Sequence, residues 1–118
     1  MSNTTKDNAV ATGPLAGVKI VDLTAVVLGP LATQMLADYG ADVIKIEGPE
    51  GDMMRNNGVT QNPGMSSIFL SINRNKRSLC VDLKSPQGLA VVQELIKTAD
   101  VVVHNMRVRA SEKTGSGL

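Results

Sequence analysis

Aromatic side chains are nearly absent from this 118-residue chain: Tyr39 and Phe69 stand alone, and there is no Trp. A core must therefore be assembled from Val, Ile, Leu, Met and Ala. A single cysteine, Cys80, excludes an internal disulfide framework and points to a reducing compartment. With only one His beside it, side chains alone cannot build a structural zinc site. Neither a G-x-x-x-x-G-K-[ST] phosphate loop nor a G-x-G-x-x-G fingerprint occurs. The apolar runs fall far short of the roughly 20 residues a membrane helix needs, and Met1–Thr12 has no apolar signal-peptide core. Charge is balanced, with 12 Lys plus Arg against 11 Asp plus Glu and a net charge of +1. A dedicated nucleic-acid binder is usually far more basic. The expectation is a soluble, cytoplasmic protein with neither nucleic acid nor membrane as partner.

What is present reads as α/β. The length fits one domain of roughly 100–150 residues, and residues 1–13 (MSNTTKDNAVATG) read as a polar, aperiodic, disordered lead-in. Val18–Leu23 (VKIVDL) and Asp42–Glu47 (DVIKIE) are strand candidates. Between them Gly29–Gly40 carries helix punctuation: Pro30 suits a first helical position, and Gly40 suits the left-handed residue that closes a helix. Leu31, Met35 and Leu36, extended by Tyr39, mark the expected buried face. Strand, helix and strand at this spacing predict a βαβ unit and a parallel sheet. Glu47–Ser67 is rich in Gly, Pro, Asn and Asp and reads as a long loop, a length that is often functional. Ile68–Ile72 fits a short strand or a helical turn equally well, and Asn73–Ser78 reads as a cationic turn. Leu79–Leu83 is a strand candidate. Ser85 as N-cap and Pro86 at the first position open a second helix, with Leu89, Val92, Leu95, Ile96 and Ala99 on its buried face. Val101–His104 follows as a buried strand.

Several residues invite a chemical reading without requiring one. Gly29 leads from a strand into a helix, whose N-terminus could hold an anion. Arg74, Lys76 and Arg77, beside Asn73 and Asn75, could grip phosphate, or form a solvated turn before an edge strand. Lys84 and Arg55 are isolated cations open to the same two readings. Asp22 and Glu47 end consecutive strands, where open α/β sheets place ligands, yet either could cap a turn. His104 at a strand end reads as structural and Cys80 as a buried, inert thiol. Met53, Met54 and Met65 give the long loop adaptable thioethers.

Four segments taken together resemble the start of the class III coenzyme A transferases, the family of formyl- and carnitine-type CoA transferases and α-methylacyl-CoA racemases. They are Pro14–Thr24 (PLAGVKIVDLT), Gly29–Glu47 (GPLATQMLADYGADVIKIE), Asn73–Gly88 (NRNKRSLCVDLKSPQG) and Ala99–Met106 (ADVVVHNM), with Gly51-Asp52 and Arg55 between the second and third. The resemblance implies a Rossmann-like parallel sheet with flanking helices, residues 14–118 forming the N-terminal part of a large CoA-binding domain. It implies coenzyme A or acyl-CoA and a carboxylic acid as substrates, no tightly bound cofactor, and an interlocked homodimer in full-length relatives. It also places Val26 and Val27 beside the reacting thioester, Val81 and Lys84 along the adenine and ribose-phosphate, and Asn105 and Met106 along the pantetheine arm. Lys113 stands where transferases carry an Arg for CoA phosphate; Lys keeps the charge but not the two-pronged fork. Gly48-Pro49 replaces a cation present in some relatives. The Asn73–Arg77 turn then positions the adenine-binding strand.

The resemblance also marks an absence. The transferases attack the acyl-CoA carbonyl with an Asp, and the racemases use an acid/base pair; no Asp here matches the nucleophile's motif, so no catalytic residue is assigned. Covalent carboxylate catalysis needs that group. The expectation is an inactive, truncated CoA-transferase portion, with a racemase portion or a CoA- or nucleotide-binding module without catalysis as alternatives.

Overall fold

The computed structural model describes residues 12–58 and 60–106. Lys113, the Arg107–Leu118 tail and most of the expected lead-in lie outside the described residues.

Four strands form one parallel sheet in the order β3-β2-β1-β4. β1 (Lys19–Leu23) runs into α1 (Leu28–Asp38), which returns to β2 (Asp42–Glu47). A 3-10 turn, η1 (Met53–Asn56), and a short helix, α2 (Ser67–Ile72), lie between β2 and β3 (Arg77–Cys80). Helix α3 (Pro86–Thr98) then carries the chain to β4 (Val101–His104), on the far side of β1. This is the α/β parallel sheet expected from the strand–helix alternation, with the flanking helices that the resemblance implies. Strand order reverses between β1 and β4, and open sheets of this kind form a crevice beyond the carboxyl ends of the strands at such a point.

The two faces of the sheet differ in chemistry because side chains alternate along each strand. One face presents Val21, Leu23, Ile44 and Ile46, which cluster with Val92 of α3. Leu95, Ile96 and Ala99 pack against that cluster, as the spacing along α3 predicts. Ser85 caps α3 as expected, accepting from the Gly88 N–H at 3.0 Å. The other face starts apolar with Ile20 and Val43, packed with Ala37 and Ala41. Toward the strand ends it becomes polar, with Asp22 and Thr24 on the β1 side and Lys45 and Glu47 on β2, all buried.

That polar half corrects the expected orientation of α1. Its buried residues are Pro30, Thr33, Gln34 and Ala37, whereas Met35 and Tyr39 are exposed. The helix turns its small and hydrogen-bonding side to the sheet: Thr33 Oγ1 donates to Asp22 at 2.7 Å, and Gln34 Oε1 accepts from the Arg74 N–H at 2.8 Å. Pro30 is the third helical residue, not the first. Gly40 closes the helix at φ 107°, the left-handed conformation expected of it.

One open alternative is settled and two further expectations change. Residues 68–72 are helical, capped by Ser66, whose Oγ accepts from the Phe69 N–H at 3.1 Å. β3 begins earlier than expected, at Arg77, and ends at Cys80; it is an edge strand, so the Cys80 thiol is exposed, not buried. β4 is the opposite edge, with Val101 exposed and the rest only partly buried. A β-branched run looks alike on an edge and in a sheet centre, because only the strand order decides its burial.

Candidate active site

The cationic turn is taken up internally. Arg74 pairs with Asp38 at 2.9 Å, Asn75 donates to the same carboxylate at 2.7 Å, and Arg77 pairs with Asp42 at 2.8 Å. Lys76 is buried and bonds Asp22 at 2.9 Å, Pro30 O at 3.0 Å and Asn73 Oδ1 at 2.7 Å. Burial pulls the Lys76 ammonium below its ordinary range, against the opposing pull of the Asp22 charge. The turn fastens β3 to α1 and β2, with only the Lys76 side chain enclosed and Arg74 and Arg77 exposed in their pairs.

Asp22 and Glu47 are engaged in the same way. Asp22 accepts from the Thr24 N–H at 2.9 Å, from the Thr24 hydroxyl, and from Thr33. Glu47 accepts from the Asp52 N–H at 2.7 Å and from both sides of the Arg55 guanidinium at 2.8 and 2.7 Å. Arg55 stacks on Phe69 at 4.0 Å from the ring centre. The Glu47 hydrogen bonds raise the Arg55 pKa further. Burial alone would raise the Glu47 carboxyl; Arg55 and the Asp52 N–H outweigh it and hold the group below the usual carboxylate range.

A buried pair that sequence reading missed lies at the centre: Lys45 Nζ meets Asp52 Oδ2 at 3.0 Å, with both side chains almost fully enclosed. Asp52 Oδ1 accepts from the Met54 N–H at 3.0 Å and, across the sheet end, from the Val26 N–H at 3.3 Å. Burial pushes the Asp52 carboxyl up, but those N–H donors and Lys45 prevail and lower it overall. The signal was a lysine at an alternating position inside DVIKIE: flanked by buried strand residues, it requires an anionic partner.

The residues singled out by resemblance gather beyond the carboxyl ends of the strands. Val26, in the β1–α1 loop, has φ 77°, a conformation costing a β-branched residue about 1–3 kcal/mol. Val27 is the N-cap residue of α1 and makes no side-chain cap bond. Gly29 is required by close approach, since a Cβ there would lie 2.7 Å from the Thr24 Cβ. Asn105 follows β4 and brackets the same loop, accepting from the Ala25 N–H at 3.2 Å and donating to Ala25 O at 2.8 Å. Met106 packs against the apolar core cluster, and its N–H donates to His104 Nδ1 at 3.2 Å, a structural use of that histidine. Val81 continues from β3 with its N–H on Glu47 O at 2.9 Å. Lys84 is exposed in the turn before α3.

Two concavities lie at these strand ends, and of these positions Met106 borders one and Lys84 the other. One of about 170 Å³ is bounded by Thr24, Ala25, Asp52, Leu83 and Met106. Another of about 290 Å³ is bounded by Pro49, Glu50, Asp82 and Lys84. Gly48 and Leu83 border both, so they form a groove from Lys84 to the β1–β4 switch point. Cys80 lies on a third cavity, of about 430 Å³, on the other side of the Gly48–Gly51 turn with Arg55 and Ser78. Among the described residues, no three His, Cys, Asp or Glu side chains are grouped to hold a metal ion, and no helix is long and apolar enough to cross a membrane.

A parallel α/β sheet with a groove at its switch point places the molecule among the open α/β folds, which take ligands at that point. Comparison narrows the class. Residues 15–118 match the model of CoA-transferase family III, and the chain belongs to that family. It is 45% identical over 109 residues to succinate–glutarate CoA-transferase of Agrobacterium fabrum, covering 86% of this chain and 27% of that protein. It is 50% identical over 93 residues to succinyl-CoA:glutarate CoA-transferase of Mus musculus, covering 78% and 21%. Its fold matches the crystal structure of a CAIB/BAIF family protein from Brucella suis with a TM-score of 0.81 at 38% identity, covering 88% and 29%. The chain thus spans roughly a quarter of the length of the relatives it matches.

Proposed function

We propose that residues 14–118 form the N-terminal part of the large domain of a CoA transferase, and that the groove from Lys84 to Met106 takes coenzyme A. The observation that carries this reading is that Val26, Val27, Val81, Lys84, Asn105 and Met106, set apart in sequence, all follow the carboxyl ends of strands of one sheet, with Lys84 and Met106 on the groove itself. Lys84 stands at the phosphate end of the ligand, and the Ala25–Val27 loop with Met106 stands at the thioester end. Lys113 would add a second cation toward the phosphates.

The reaction is transfer of CoA from an acyl-CoA thioester to a carboxylic acid, with both as substrates and no tightly bound cofactor. The transferase names of the relatives favour transfer over racemisation. Three carboxylates at the strand ends support this division of labour: Asp22, Glu47 and Asp52 are each enclosed and bonded to cations, which takes these three out of use as open nucleophiles. These residues bind and orient, and the attacking Asp belongs to a part of the protein outside this sequence. The whole enzyme would be a cytoplasmic homodimer.

A CoA-exchange assay with succinyl-CoA and glutarate tests the reading. The 118-residue chain alone is expected to give the background rate, and a rate on the order of tenfold above background would overturn it.

A further inference from the structure

The β1–α1 loop is gripped residue by residue from outside itself. Lys45 Nζ donates to Thr24 O at 3.0 Å, Asn105 brackets Ala25 with two hydrogen bonds, and Asp52 Oδ1 accepts from the Val26 N–H at 3.3 Å. Val26 is held at φ 77°, where a valine is an outlier and a glycine would be at ease. Strain of this kind persists only where surrounding groups over-determine it. The group that does so here is Asp52. Its carboxylate is enclosed, anchored by Lys45 on β2 and by the Met54 N–H, and its own N–H is tied to Glu47. Arg55, stacked on Phe69, fixes Glu47 in turn. A chain of contacts thus runs from Phe69 on α2 through Arg55, Glu47 and Asp52 to one strained peptide next to Ala25, which borders the groove.

We propose that Asp52, anchored by the buried Lys45, is a positioning residue that locks Val26 in the left-handed conformation and so sets the thioester-end wall of the groove. Its bearing on ligand rests on the coenzyme A reading above; its bearing on the loop does not. Asp52 touches no reacting atom in this account. It acts through the peptide that joins Val26 to Ala25, and Ala25 borders the groove together with Thr24 and Met106. A lysine–aspartate pair serving packing alone would have no need to reach Val26, which among the described residues is the one β-branched residue in a left-handed conformation.

The test compares the 118-residue chain with D52A, V26G and D52A/V26G. Two quantities are read: the backbone conformation at residue 26, from its amide–Hα coupling, and the affinity for coenzyme A by titration. D52A is expected to release residue 26 from positive φ and to weaken coenzyme A binding about tenfold. Adding V26G, which makes positive φ accessible without the lock, is expected to recover most of the affinity while the lowered urea midpoint, caused by the unpaired Lys45, stays low. A packing role predicts instead that affinity follows stability and that V26G rescues nothing. Should D52A fail to fold, D52N/K45M removes the unpaired buried ammonium and is compared with and without V26G. Retention of positive φ at residue 26 without the Asp52 carboxylate would overturn the proposal. If the unmodified chain binds no coenzyme A, the coenzyme A reading fails, and the conformation at residue 26 still decides whether Asp52 locks the loop.

Discussion

Replacing Lys76 by methionine probes whether the polar half of the sheet is held by buried charge. Lys76 and Asp22 expose 2% and 0% of their side chains, so removing the ammonium strands a carboxylate in the interior. Breaking a buried pair from one side costs about 3–5 kcal/mol. Asp22 keeps three donors, the Thr24 N–H, the Thr24 hydroxyl and the Thr33 hydroxyl, which moderates the loss. Pro30 O and Asn73 Oδ1, however, lose the donor they shared with Asp22. The two effects oppose each other and leave K76M within that range, a large share of the roughly 5–15 kcal/mol that stabilises a domain. Urea unfolding followed by circular dichroism should show a midpoint lower by about 2 M, given a slope of about 1–3 kcal/mol per M. The double variant D22N/K76M should regain most of the loss, because a neutral replacement of a buried pair is often close to neutral. R77A, which removes a pair exposed at both ends, should leave the midpoint within experimental scatter. A K76M loss under about 1 kcal/mol, the worth of an exposed pair, would refute the reasoning.

Acid should destabilise the fold. Glu47 and Asp52 have lowered pKa values in the folded chain, so the unfolded chain binds more protons as pH drops. Their contribution is complete above the ordinary carboxylate range, near pH 4–5, and is lost as pH falls through the lower native values; equal urea midpoints at pH 6 and pH 3 would contradict this. G29A should cost about 1–3 kcal/mol, because the added methyl meets the Thr24 side chain where strand turns into helix. An unchanged melting temperature would mean that the loop gives way more easily than its contacts imply. K84A should weaken coenzyme A binding by about 1–2 kcal/mol, the worth of one charge-assisted contact, and unchanged affinity by titration would remove Lys84 from the site.

The sheet was legible because Val18–Leu23, Asp42–Glu47 and the Ser85-Pro86 cap are local signals, and local signals suffice to place strands and helices. The depth of each element was not. Leu31, Met35 and Tyr39 form a valid apolar stripe, yet α1 turns Thr33 and Gln34 inward because the sheet beneath them carries Asp22 and Lys45. Such a preference exists only once two strands lie side by side. Cys80 and Val101 were read as buried for a related reason: their strands became edges through the path of α3. Of the residues placed by resemblance, Lys84 and Met106 border the groove, whereas Val26, Val27, Val81 and Asn105 line neither of its concavities. The supporting charges were not legible in the sequence. Lys45 and Asp52 are seven positions apart with only Gly51-Asp52 as punctuation, and the strained Val26 that Asp52 reaches has no mark of its own in the sequence.

The central claim is that the groove across the carboxyl strand ends receives coenzyme A. Amide chemical shifts of the 118-residue chain, followed while coenzyme A is added, test it most directly, because they report weak binding and its location together. Saturable changes are expected at Gly48, Leu83, Lys84, Ala25, Asn105 and Met106, with Tyr39, Arg74 and Arg77 unmoved. Changes centred on the Arg74–Arg77 turn, or none at millimolar coenzyme A, would contradict it.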